Sequence, residues 1–181
     1  MISYSIARFV KEGYMDPLQD VSAYFPYSLH NVVIRQNETY AYALQRFWSS
    51  RPYQGIFVLE HDIVVPFSTF LLIDAVIQNF PNHIIAVPYF LNPSTTSLKY
   101  SIFAHRRDFS IPFPKQWNSH HLTSIQPLES FALGCTYLPF SVLSYINPNW
   151  DYPLFDSDLS LAVYHHIPAI SPMDLLATHL H

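Results

Sequence analysis

Apolar and polar positions fall into blocks whose lengths and spacings predict an ordered series of strands and helices. Residues 2–7 form a first apolar run. Residues 31–35, Asn-Val-Val-Ile-Arg, form a second one, short, β-branched and set between polar neighbours. Over 38–48, Tyr42, Leu44 and Phe47 recur at helical spacing among polar residues. Ile56, Phe57, Val58 and Leu59 follow Gly55 without a break, as in a strand covered on both faces of a parallel sheet. Pro66 then opens a helix predicted to reach Asn79, proline being well suited to a first helical turn. The next buried strand is 84–87, stopped by Pro88. From 88 to 130 the chain is rich in Pro, Ser, Asn and His, and the pattern predicts loops, a hairpin around 100–107 and little long secondary structure. Regularity returns with a strand at 131–138, a short helix at 139–146, a helix at 154–164 with Leu159, Ala162 and Val163 on one face, and a final strand at 173–177.

Strand and helix thus alternate through the first half of the chain, which predicts an α/β domain with right-handed crossovers and a largely parallel sheet. In such sheets the functional crevice lies beyond the carboxyl ends of the strands. Topology alone therefore puts Glu60-His61-Asp62, which directly follow the apolar run at 56–59, in the crevice.

Composition narrows the classes. Half of the 181 residues are hydrophobic, 17% are aromatic and 12% are charged, which excludes a disordered chain. A net charge of -4 argues against non-specific nucleic-acid binding, which requires a basic face. With so little charge, some apolar surface is expected to meet a partner subunit, a membrane face or a lipid-linked acceptor. Cys135 is the single cysteine, so neither an internal disulfide nor a cysteine-based zinc site is available. The first residues lack the basic and apolar segments of a signal peptide, and 63–77, broken by Pro66 and Asp74, is too short to span a bilayer. The expectation is one soluble, cytoplasmic domain over 1–181, with peripheral membrane contact allowed.

Three groups of residues carry candidate chemistry. Glu60 and Asp62, one residue apart at a strand end, offer two carboxylates to a hard divalent cation such as Mn2+ or Mg2+, which would neutralise a diphosphate. The plainer reading is a solvated loop whose acids favour the next helix. Asp156 and Asp158 open the late helix: one suits an N-cap, and either is a candidate general base for an acceptor hydroxyl. His179, near the end of the chain, is either frayed or an additional metal ligand. The pairs His120-His121 and His165-His166 read as surface or packing residues. With glycine only at positions 13, 55 and 134, neither a dinucleotide fingerprint nor a phosphate-binding P-loop is present, and there is no Gly-x-Ser-x-Gly elbow.

Taken in order, these segments resemble the GT-A glycosyltransferases. The stretch 56–66, an apolar strand ending in Glu60-His61-Asp62 and running to Pro66, is similar to that family's strand and DxD region. The stretch 131–137, with Gly134, resembles the glycine-containing segment ahead of the catalytic helix, and 155–161 resembles the helix carrying the family's xED acid. The stretch 170–179 resembles the closing strand that ends in a metal-binding histidine. The likeness runs from about residue 32 to the end, and is greatest to minimal members of the fold, including small enzymes carried by viruses, for which the setting would be host cytoplasm.

The resemblance implies a GT-A-like αβα sandwich with a central, mostly parallel sheet. It implies a divalent cation on Asp62, Glu60 and His179, and a nucleotide-sugar donor near Glu60, His61, Asp62 and Gly134. Arg8, expected in the first loop, is a candidate nucleotide contact, the plainer reading being an ordinary surface arginine. It implies a base at Asp156 or Asp158, and a glycan, protein or lipid-linked acceptor. Trp117 and Glu129 are candidates to shape the acceptor pocket, Trp117 reading equally as a core residue. Two other classes fit the same residues: a GT-A-shaped binding or structural protein without turnover, and a metal-dependent phosphoesterase. The chain departs from the pattern in carrying Glu60 as the first acid of the DxD and Phe155 where the family often has an acid.

Overall fold

The computed structural model describes residues 3–14, 29–51, 53–88, 125–172 and 178–179. In chain order these give β1 (Tyr4–Lys11), β2 (Leu29–Ile34), α1 (Tyr40–Ser49), β3 (Gly55–Glu60), β4 (Ile63–Val64), α2 (Phe67–Asn79), β5 (Ile84–Ala86), β6 (Ile125–Leu128), β7 (Cys135–Pro139), a 3-10 helix (Phe140–Tyr145), α3 (Phe155–Val163), β8 (Ala169–Pro172) and β9 (Thr178–His179). Seven strands build one sheet in the order β2-β1-β3-β7-β5-β8-β6, and β4 pairs with β9 in a separate ladder. β1 is parallel to β2 and β3, and β5 to β8, while β7 runs antiparallel to β3 and β5, and β6 to β8. Five strands therefore point one way, and their carboxyl ends define one edge of the sheet.

Apolar side chains cover both faces because β3 alternates across a fully buried position in the sheet. Ile56 and Val58 join Leu44, Trp48, Leu159 and Val163 beneath α1 and α3. Phe57 and Leu59 join Phe70, Ile73, Ile77 and Tyr137 beneath α2. Phe70, Ile73 and Ile77 are completely buried, each stabilising the α2 layer by roughly 2 kcal/mol. Thr39 caps α1 by accepting from the Tyr42 N–H at 3.1 Å. At the start of β3, Gly55 admits the Tyr137 ring: a Cβ there would lie 2.3 Å from it. The Tyr137 hydroxyl donates to the Pro81 carbonyl at 3.1 Å, tying β7 to the turn after α2.

The mostly parallel sheet is as expected, with β7 and β6 as its antiparallel members. Other expectations need correction. The strand expected over 131–138 begins only at Cys135, since 131–134 bonds elsewhere: the Ser160 hydroxyl accepts from the Phe131 N–H and donates to its carbonyl, both at 3.1 Å. The helix expected over 139–146 is a 3-10 helix. The strand expected over 173–177 lies outside the described residues, which give β8 at Ala169–Pro172 before it and β9 at Thr178–His179 after it. The hairpin expected at 100–107 and Trp117 lie outside the described residues.

Candidate functional site

β3 ends at Glu60 on the carboxyl edge of the sheet. The chain turns through His61 and Asp62 and leaves along β4. Two contacts hold this turn. The Glu60 N–H donates to the Gly134 carbonyl at 2.9 Å, and Arg8 Nη2 donates to the His61 carbonyl at 2.7 Å. Arg8 is thus not in the first loop: it sits within β1, 1% exposed, supporting the turn from beneath.

The β4–β9 ladder sets Ile63 opposite His179 and Val64 opposite Thr178. Directly opposed residues in an antiparallel pair have Cα atoms about 5 Å apart. The backbone of His179 therefore runs beside the residue that follows Asp62.

Asp156 arrives from the other side of the crevice. It lies in the first turn of α3, whose N-cap is Leu154, so the capping role open to it in the sequence is not the one it takes. Its Oδ2 instead accepts from the Leu133 N–H at 3.2 Å, next to Gly134. The electrostatics place it near Glu60. Burial pushes the Glu60 carboxyl from an ordinary 4.5 to about 8, and the charges of Asp156 and then Asp62 push in the same direction. Three carboxyl groups, from a strand end, a turn and a helix start, thus act on one another. Asp158, two residues on and about 200° around the helix, is absent from the acids acting on Glu60. Glu129 is exposed just after β6.

Two aromatic residues at this edge escaped the sequence reading. The Tyr14 ring stands 5.3 Å from that of His61, edge to face, and Lys11 Nζ lies 5.2 Å over the Tyr152 ring. Tyr14 and Tyr152 are 63% and 69% exposed. The available signal was position: Lys11 ends β1 and Tyr14 follows the Gly13 turn, where the chain leaves the carboxyl edge.

The donor chemistry fits a hard divalent cation. Glu60 and Asp62 offer oxygen, and the negative charge gathered around Glu60 is the kind a cation relieves. Among the described residues, no three His, Cys, Asp or Glu side chains already converge as a ligand set.

A mostly parallel seven-stranded sheet covered by helices, with acids at the end of its central strand, has the GT-A glycosyltransferase fold. Two solved structures show the likeness. One is A197 from STIV, with a TM-score of 0.60 and 16% identity, covering 98% of this chain and 86% of that one. The other is GalNAc-T7, crystallised with UDP, GalNAc and Mn2+, with a TM-score of 0.69 and 10% identity, covering 99% of this chain and 44% of that one. This chain thus spans less than half of GalNAc-T7, and at these identities the likeness is one of fold. No protein-family model and no curated protein matches the sequence. Among the described residues, no helix is long and apolar enough to cross a membrane.

Proposed function

We propose that the protein is a metal-dependent glycosyltransferase that moves a sugar from a nucleotide-sugar donor to an acceptor hydroxyl. The observation that carries this reading is the β4–β9 register, which brings His179 alongside the turn bearing Glu60 and Asp62 within a GT-A fold. Asp62, Glu60 and His179 would hold Mn2+ or Mg2+, which supplies charge neutralisation for the departing nucleoside diphosphate. The crystallised complex of GalNAc-T7 with UDP, GalNAc and Mn2+ supports that choice of donor and cation.

The chain's own groups divide the remaining work. Arg8 and the Gly134 carbonyl fix the Glu60–Asp62 turn, so its carboxylates are placed before a donor arrives. Asp156, anchored by the Leu133 N–H, is the candidate base. In an inverting transfer it takes the acceptor hydroxyl proton as the new glycosidic bond forms and the bond from the sugar to phosphate breaks. In a retaining transfer it orients the acceptor. Asp158 is the second choice.

Turnover of a panel of nucleotide sugars with Mn2+ and simple glycoside acceptors tests this. Asp62→Ala and His179→Ala are expected to abolish transfer while leaving the circular dichroism melt in place. Unchanged turnover in both variants removes the metal assignment. One rival is a GT-A-shaped binding protein without turnover. Nucleotide binding without transfer to any acceptor would establish that rival, and phosphate release from simple monoesters would point to a phosphoesterase.

A further inference from the structure

The outer edge of the sheet carries a second feature, away from the acidic crevice. Among the described strands, β2 has a neighbour on one side only, β1. The Glu12 N–H donates to the Ile34 carbonyl at 2.9 Å, so Ile34 turns its main-chain groups toward β1. By the alternation of a strand, Val32 and His30 do the same, while Leu29, Asn31 and Val33 turn theirs outward. One outward group is answered: Arg46 Nη2 donates to the Val33 carbonyl at 3.1 Å. This guanidinium blunts the carboxyl half of the edge, as charged side chains commonly do, and among the described residues nothing pairs with the outward main-chain groups of Leu29 and Asn31.

A cavity of about 530 Å³ lies along this edge, lined by β2 together with Arg35, Arg46, Ser50 and Arg51. It holds three of the nine lysine and arginine residues of a chain whose net charge is -4. Glu38 lies 2.9 Å from the Arg46 guanidinium and accepts from the Arg35 main-chain N–H at 3.2 Å. Among the described residues, this one ion pair, to Arg46, stands against three positive groups. Arg51 is held in place over the Phe47 ring at 4.1 Å, and its Nη1 donates to the Ser50 hydroxyl at 2.9 Å. His30 faces the same cavity with its Nε2 buried and, among the described residues, without a hydrogen-bond partner. Burial, and then the Arg51 charge, lower its pKa, as expected beside excess positive charge.

Shape selects among anions. From Leu29 to Arg35 the strand covers about 20 Å at 3.3 Å per residue. Arg51 lies toward the start of that span, where the α1 helix ends, and Arg35 lies just past its finish. A lone phosphate occupies one corner of such a groove. An extended chain follows its length and meets both the outward main-chain groups and the flanking guanidinium groups.

We propose that this edge binds a short acidic peptide from a partner protein as an added strand, with its backbone on Leu29 and Asn31 and its carboxylates on Arg35 and Arg51. Main-chain pairing supplies affinity and the arginine residues select for acidity.

Fluorescence anisotropy of a labelled heptapeptide of alternating Glu and Thr tests the assignment. Binding is expected to weaken about tenfold or more, the scale of one lost charged contact, when Glu is replaced by Gln, when alternate peptide nitrogens are methylated, and in Arg35→Glu/Arg51→Glu. The matching Lys peptide should bind that charge-reversed protein better than it binds the native one. Where charge reversal lowers the melt, Arg35→Gln/Arg51→Gln serves in its place. No saturable binding of the Glu peptide overturns the proposal. So does binding that is indifferent to methylation and equally well competed by dextran sulfate, because the surface would then be a polyanion patch rather than a strand-pairing edge.

Discussion

Glu60 links the site to the stability of the whole chain, and the sign of that link can be worked out. Its carboxyl is pushed from 4.5 to about 8, chiefly by burial and then by Asp156 and Asp62. Between those two values the folded protein holds a proton that the unfolded chain releases. Stability is therefore fully present below about pH 4.5 and is lost as pH rises toward 8. At about 1.4 kcal/mol per unit, the loss reaches about 3 kcal/mol by pH 7 and close to 5 kcal/mol by pH 8. These figures are ceilings, since entry of water relieves part of the desolvation. Glu60→Gln imitates the protonated carboxyl and removes the titration. In the presence of a chelator, urea unfolding followed by tryptophan fluorescence should show the variant more stable than the native protein by up to about 3 kcal/mol at pH 7. The two should converge near pH 4.5. With Mn2+ the order should reverse, because the variant gives up a ligand oxygen. A difference between native and variant that stays constant from pH 5 to 8 in chelator would refute the reasoning.

Cys135 is completely buried, and burial with the neighbouring Glu60 charge raises its thiol pKa, so it should react with a disulfide reagent only as fast as the protein unfolds; rapid labelling of the native state would contradict this. Ser160→Ala strands the buried Phe131 N–H and carbonyl, and should cost about 2 kcal/mol in urea unfolding, with transfer activity reduced because the 131–134 segment supports both Glu60 and Asp156. Arg8→Met frees the His61 carbonyl, and should weaken Mn2+ affinity by about tenfold or more in calorimetry; unchanged affinity would show that the turn holds its shape unaided.

Much of this architecture could be read from the residues because it is written in local patterns. The unbroken run 56–59 announced β3, and the pattern over 38–48 announced α1, although of the three residues that marked it only Leu44 and Phe47 are buried and Tyr42 is exposed. The crevice position of Glu60 and Asp62 followed from topology alone. What escaped depends on partners distant in sequence. The reversed direction of β7 is set by pairing with β3 and β5, which no local signal encodes. β4 is two residues long and exists only through β9. Asp156 resembled a cap because aspartate at a helix start usually is one, yet the Leu133 N–H claims it. Arg8 resembled a loop residue because a buried charge is rare, and its tie to the His61 carbonyl spans the sheet edge. The arginine-lined groove was invisible because Arg35, Arg46 and Arg51 are scattered along the chain and meet only when α1 packs beside β2.

The ring of Tyr137 occupies the space where any other residue at position 55 would keep its first side-chain carbon. A side chain can therefore enter position 55 only if the residue at 137 gives way, by swinging its ring aside or by losing it. Positions 55 and 137 share one volume, and what one gains the other must yield.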